Sequence, residues 1–297
     1  MRRRILRTLL LALVAALGLW VWLTQPARLD PEFFAGIEGD AERGALVFHA
    51  AGCANCHAAP DAEGAARLVL AGGQRFASDF GTFVAPNISP DPDHGIGTWT
   101  REDFAAAMVL GVSPEGRHYF PAFPYTAYAR ATAQDVADLW AYWARLPLSE
   151  RPNEPHEIAF PFGARRNVGL WKTIHLRRDW AVTGDLTELE ARGRYLSEAL
   201  AHCAECHTPR DGLGGLDRSR WLAGAPNPSG QGRIPNITPA ALRWSAEDVA
   251  AYLSSGFTPD FDVAGGTMAL VVDSLSNLPP EDHAAIAAYL RRVAPVE

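Results

Sequence analysis

Two pentapeptides carry the chemistry of this chain, Cys53-Ala54-Asn55-Cys56-His57 and Cys203-Ala204-Glu205-Cys206-His207, and they use all four of its cysteines. Cys-x-x-Cys-His is the spacing of covalent c-type haem attachment. Two thiols one helical turn apart reach the two vinyl groups of one porphyrin. The adjacent histidine then lies under the ring and offers a nitrogen to iron. A disulfide, a zinc site or a thioredoxin-like redox pair needs only the Cys-x-x-Cys and leaves both histidines unexplained. Zinc would also require four ligands converging on one ion. The expectation is two covalently attached haem c groups, tethered by Cys53, Cys56, Cys203 and Cys206, with iron on His57 and His207.

The elements that must position these motifs occur twice. Arg43-Gly44 precedes the first motif and Arg192-Gly193 the second; Pro86-Asn87-Ile88-Ser89-Pro90 recurs as Pro235-Asn236-Ile237-Thr238-Pro239. Trp99-Thr100-Arg101-Glu102-Asp103 recurs as Trp244-Ser245-Ala246-Glu247-Asp248. Each of these last strings predicts a helix start, with Thr100 or Ser245 as N-cap and an acid three residues on. Gly111 and Gly256 end those helices. A helix opening at Thr132 runs through Val136, Leu139, Trp140 and Trp143, and its counterpart begins near Pro280 with Ile286, Tyr289 and Leu290. Apolar residues spaced by three and four pack such helices on a core. No convincing alternating strands appear. Between the repeats, Arg151 to about Leu186 is too long for a minimal linker, and its aromatics (Phe160, Phe162, Trp171, Trp180) predict a segment packed on a domain.

At the N-terminus, Arg2, Arg3, Arg4 and Arg7 precede a continuously apolar or small run from Leu9 to Leu23, with Trp20 and Trp22 at its outer end. This is the pattern of a secretion signal or of a retained signal anchor. No small-x-small cleavage site is evident after Leu17, which favours the anchor, and a cleaved signal peptide is the alternative. Positive charge stays inside, which places the remainder on the periplasmic side of a bacterial inner membrane. Without those four arginines the chain carries −11, against −7 for the whole. That acidity argues against nucleic acid and suits a partner with a basic docking face. Gly212 to Gly215 lacks the Lys-Ser/Thr of a phosphate loop, and no Ser-His-Asp array is evident.

The chain resembles the multihaem cytochrome c subunits of membrane-bound alcohol, gluconate and related sugar dehydrogenases. The strings that carry the resemblance run over nearly everything after the anchor. They are Phe80-Gly81-Thr82, Ala85 through Asp91, Gly95-Ile96-Gly97, Pro121-Ala122-Phe123-Pro124-Tyr125, Phe160-Pro161-Phe162 and Cys206-His207-Thr208-Pro209-Arg210. Such subunits hand electrons from a dehydrogenase to a quinone or another cytochrome. They generally carry three haem domains, and this chain has two motifs. The resemblance implies a mainly α fold with two class I-type cytochrome c domains in tandem plus an N-terminal membrane helix. The expected boundaries are 1–25 for the anchor, 33–150 for the first domain, 151–186 for a packed linker and 187–297 for the second domain.

The sixth iron ligand separates the two sites. The methionines are Met1, Met108 and Met268. Met268 follows Gly265-Gly266-Thr267 and precedes the final helix, where a class I cytochrome c and the resembled subunits place an axial methionine; its bland alternative is a core residue. The 145-residue offset between Gly111 and Gly256 carries Phe123 onto Met268. The related subunits read Pro-Ala-Met-Pro-Tyr there, and phenylalanine cannot ligate iron. The first haem is therefore five-coordinate or takes a substitute. His118 is the candidate substitute, against a plain surface loop histidine. Met108 reads as packing, and His49 and His94 lie in less suitable segments. The expected function is relay of single electrons, from a dehydrogenase donor to a cytochrome or oxidase acceptor. The alternative is a peroxidase-like dihaem enzyme using an open sixth site at the first haem.

Overall fold

The computed structural model describes residues 1–228 and 232–297. Helix α1 (Arg2–Leu23) leads, with none of its residues buried. There follow α2 (Ala41–Ala50), α3 (Cys53–His57), strands β1 (Arg75–Ser78) and β2 (Gly81–Val84), then α4 (Arg101–Ala105), which runs on into a π-turn over Ala106–Leu110. Helices α5 (Tyr125–Tyr128) and α6 (Ala133–Trp143) complete the first half. The connecting stretch holds β3 (Glu157–Ile158) and α7 (Val168–His175). The second half comprises α8 (Glu188–Tyr195), α9 (Ala204–His207), β4 (Ala225–Pro226), β5 (Arg233–Ile234), α10 (Ala246–Ser255), α11 (Thr267–Leu275) and α12 (Pro280–Leu290). The molecule is mainly helical.

The paired helix starts form as their sequences demand. Thr100 accepts from the Asp103 backbone N–H while the Asp103 carboxylate accepts from that of Thr100, and Ser245 and Asp248 do the same. Each reciprocal box satisfies two of the donors a helix N-terminus leaves free. Pro280 sits in the first turn of α12, where its missing N–H costs nothing.

In each half the helix before the haem motif crosses the last helix at very close range, and the Arg-Gly pair explains how. A Cβ at Gly44 would lie 1.9 Å from the Asp138 carbonyl oxygen, and one at Gly193 would lie 1.8 Å from that of Ala285. Only glycine lets α2 meet α6, and α8 meet α12, this closely. The neighbouring arginine locks each crossing. Arg43 donates to both carboxylate oxygens of buried Asp138, at 2.8 and 2.9 Å. Arg192 does the same to Asp282, at 2.8 and 2.7 Å. Bidentate guanidinium–carboxylate pairing fixes orientation as well as distance.

The absence of strands expected from sequence is corrected by a small antiparallel sheet, β1-β2-β3, with Arg75 opposite Val84 and Gly81 opposite Ile158. Its strands have at most four residues, too few to show an alternating pattern. A second two-stranded pair joins β4 to β5.

The connecting stretch touches both halves. Asn87, buried in the first half, donates to the carbonyls of Ser149 and Arg151 at 2.8 and 2.9 Å. Lys172 on α7 donates to the carbonyls of Leu110 and Gly111, both at 2.7 Å, where the α4 segment ends. On the other side, the backbone N–H groups of Ala181 and Val182 donate to the buried carboxylate of Glu198 at 2.6 and 3.1 Å.

Candidate haem sites

Each pentapeptide forms a single helical turn, α3 and α9, so both cysteines of a pair face the same side. The turn is entered through a left-handed residue, Gly52 (φ +60°) in the first half and His202 (φ +43°) in the second. That conformation is strained for histidine. The His202 ring is used: its Nε2 lies 3.3 Å from the Ala51 carbonyl and its face meets Tyr128 at 5.7 Å, across the boundary between the halves.

The decisive geometry lies on the two histidines. Nδ1 of His57 lies 2.9 Å from the Pro86 carbonyl, and Nδ1 of His207 lies 2.8 Å from that of Pro235. A carbonyl can only accept, so Nδ1 carries the proton and Nε2 presents its lone pair. A second partner of this kind holds the ring and tautomer of a metal-bound histidine. The Pro-Asn-Ile string builds the loop that delivers the carbonyl. The Asn87 side-chain oxygen accepts from Ser89 N–H, and that of Asn236 from Thr238 N–H, both at 2.9 Å. The backbone carbonyls of His57 and His207 in turn accept from Gly72 and Gly224, each at 2.7 Å. The sequence displays this string as a repeat but gives no sign that it orients the histidines.

Burial lowers the pKa of both His57 and His207, which keeps each imidazole neutral and its Nε2 available near pH 7. Burial pushes the Cys53 thiol up to about 12 and those of Cys56 and Cys203 to about 11; Cys206 is raised for the same reason. All four cysteines are unpaired. Among the described residues no three His, Cys, Asp or Glu side chains converge as metal ligands. A lone histidine nitrogen beside two thiols fits a metal carried in a porphyrin and does not fit a four-ligand zinc site.

Met268 is the second residue of α11 and is half-buried against the core. Phe123 packs on the same core and is surrounded by Tyr119, Tyr125 and Tyr128 at ring distances of 5.9, 6.3 and 5.8 Å. Met108 is 6% exposed inside the core. His94 holds Asp91, with Nδ1 at 3.2 Å, and His49 sits edge-on to Phe48 in α2.

His118 is placed differently from either sequence expectation. It is no surface loop histidine, being 4% exposed. Its Nε2 donates to the carbonyl of Thr24, just past the end of α1, at 3.0 Å. That bond engages Nε2 and leaves Nδ1 without a hydrogen-bond partner among the described residues, and burial lowers the pKa of the ring. Iron ligation by His118 would use Nδ1, because Nε2 is bonded to Thr24. The partner that claims Nε2 lies 94 residues earlier in the sequence.

The two motif helices lie against each other's domains. Ser274 of α11 donates to the Asn55 side chain at 2.9 Å, and Thr126 donates to Glu205 at 2.6 Å. Besides burial, the nearby Cys206 thiol raises the Cys56 pKa.

The profile of the family described as cytochrome c matches residues 41–146 and 191–294, one match around each motif. The chain belongs to the cytochrome c family. It is 61% identical over its full length to a protein named diheme cytochrome c-type from Cereibacter sphaeroides, which it also covers completely. It is 38% identical to the fructose dehydrogenase cytochrome subunit of Gluconobacter japonicus, over 84% of this chain and 52% of that subunit. It is 31% identical to the gluconate 2-dehydrogenase cytochrome c subunit of Pantoea cypripedii, over 84% of this chain and 58% of that subunit. This cytochrome c thus spans little more than half the length of those dehydrogenase subunits.

Proposed function

We propose that this cytochrome c is a dihaem electron relay, anchored by α1 on the periplasmic side of a bacterial inner membrane. It would take single electrons from a dehydrogenase and pass them to a cytochrome or oxidase. The observation that carries the reading is the twice-built histidine: a Cys-x-x-Cys-His turn whose Nδ1 is held by a proline carbonyl at 2.9 and 2.8 Å. Relatives named as cytochrome subunits of fructose and gluconate dehydrogenases support a dehydrogenase as donor. In this reading the domains run 33–150 and 187–297 as tandem class I-type units, with 151–186 strapped across them.

Iron in a porphyrin supplies reversible one-electron exchange. The chain does the rest. Cys53 and Cys56, and Cys203 and Cys206, tether the rings. His57 and His207 would ligate through Nε2, and the proline carbonyls, which hold their Nδ1 atoms, would fix their orientation and raise their basicity. Met268 would hold the iron of the second haem through its thioether, which would raise the potential there. The Cys206 thiol lies near enough to Cys56 to raise its pKa, which supports electron exchange between the two haems within one molecule.

A second reading rests on Phe123. It occupies the position of Met268 in the repeat, and His118 is engaged by Thr24. The first haem would then be five-coordinate, as a peroxidase-like function requires. Haem staining of a denaturing gel, followed by a redox titration, tests the main reading: two covalently bound haems titrating as one-electron centres are expected, and a colourless band would overturn it. Carbon monoxide binding to the reduced protein separates the two readings, because a closed carrier takes up little.

A further inference from the structure

Helix α1 leaves the body through a built socket. Thr24, its C-terminal cap, is 0% exposed although the helix itself is bare. The Thr24 carbonyl accepts from His118 at 3.0 Å and its hydroxyl accepts from Arg166 Nε at 2.9 Å. The same guanidinium donates to the Val21 carbonyl at 2.9 Å and lies 5.5 Å from the centre of the Trp20 ring. Gly169 of α7 backs this contact, since a Cβ there would lie 2.7 Å from the Thr24 Cα. The end of the apolar helix is thus bonded to the connecting stretch at several points.

With α1 as the anchor, the face around the socket is the one nearest the bilayer. Helix α7 starts at the socket and has eight residues, so its far end is about 12 Å away. What is exposed around it is unusual for an acidic protein. From Ile158 to Arg178 there is no Asp or Glu, while Arg165, Arg166, Arg177 and Arg178 are cationic; Lys172 is turned inward onto the Leu110 and Gly111 carbonyls. Phe160 is 89% exposed, Phe162 52%, Ile174 54% and Leu213 56%. Leu213 is brought there by its carbonyl, which accepts from Trp171 Nε1 at 2.9 Å. Exposed apolar side chains set among arginines match the boundary between acyl chains and anionic headgroups.

We propose that the face formed by Phe160, Phe162, Ile174, Leu213, Arg177 and Arg178 rests on the surface of an anionic phospholipid bilayer, with the α1 socket holding it there. The apolar side chains enter the acyl boundary and the arginines pair with headgroup phosphates. Both halves carrying haem motifs are strapped to this stretch, so their orientation toward membrane-bound partners is set as well. The inference rests on the anchored reading above.

The test uses full-length holoprotein in vesicles of phosphatidylcholine with phosphatidylglycerol, carrying a photoactivatable phospholipid, with adducts mapped by mass spectrometry. Adducts within α1 and also within 160–178 are expected. In F160S/F162S the adducts within 160–178 should fall several-fold while those in α1 stay, with the haem absorption unchanged as a check on folding. Adducts confined to α1 would overturn the platform and leave the anchor standing, and would point to a protein partner for this face. Unchanged adducts within 160–178 in F160S/F162S would also overturn it. A mature chain that begins beyond Thr24 and takes no adducts would instead remove the anchored reading itself.

Discussion

Ser274 donates a hydrogen bond to the side chain of Asn55 at 2.9 Å, joining the first haem motif to the helix that carries Met268. Arg67 donates to the same oxygen at 2.7 Å, so Asn55 gathers both halves at one atom. Ser274→Ala removes one bond of about 1 kcal/mol and should lower the melting midpoint slightly. Asn55→Ala strands both donors and should lower it more. Calorimetry of the two variants checks the order, and equal or absent losses would mean this contact does not hold the halves together.

Met268→His should lower the potential of one haem substantially and leave the other nearly unchanged. Axial ligand identity is a main lever on haem potential, which spans about 0.8 V across ligand sets. The substitution falls on the second residue of α11, at a half-buried position. A redox titration of the variant decides it; two unchanged midpoints would show that Met268 is not a ligand.

Phe123→Met tests the first site. The side chains are of similar size, and Pro121 and Pro124 brace the loop, so the fold should tolerate the change. If the first haem is five-coordinate, its high-spin spectrum becomes low-spin and a thioether–iron band appears. His118→Ala should leave the native spectrum unaltered, because the imidazole is bound to Thr24. A switch to high-spin in His118→Ala would reinstate His118 as the ligand. A native low-spin haem indifferent to His118→Ala would indicate a ligand outside this loop.

Gly193→Ala should destabilise the second half by about 1–3 kcal/mol, as overpacking of a close contact does. Its Cβ would meet the Ala285 carbonyl at 1.8 Å and force α8 off α12. Thermal melts read this directly, and an unchanged midpoint would contradict the close crossing.

Local pattern made much of this fold readable. The Thr100 and Ser245 caps, the stops at Gly111 and Gly256, and the helix beginning at Pro280 are each set by residues within one or two turns. The Cys-x-x-Cys-His chemistry is local too. The features that escaped depend on partners distant in sequence. Strand β3 is two residues long and exists only because β2 pairs with it. The Pro86 and Pro235 carbonyls act on histidines 29 and 28 residues away. His118 is close in sequence to Phe123, whereas its environment comes from Thr24, Arg166 and Lys172. Periodicity reports which face of an element is apolar and is silent on which distant polar group it meets.

The His118 contact also predicts a pH response. Burial lowers its pKa; the bond to Thr24 opposes this, and the neighbouring Lys172 and Arg166 charges add to it, so the net shift is downward. The unfolded chain binds this proton below about pH 6.5, while the folded chain still refuses it. Stability contributed here is therefore whole at higher pH and falls as pH drops through 6.5, levelling once the folded pKa is passed. Burial also lowers the pKa of His49, His57, His156, His202 and His207, so the comparison must isolate this one. His118→Asn keeps a donor for the Thr24 carbonyl and does not titrate. In detergent micelles the wild type should lose more of its melting midpoint between pH 7.5 and 5.5 than His118→Asn does. Hydrogen exchange at residues 21–25 should quicken over the same range in the wild type alone. Parallel pH profiles for the two proteins would show that the socket does not depend on a neutral His118.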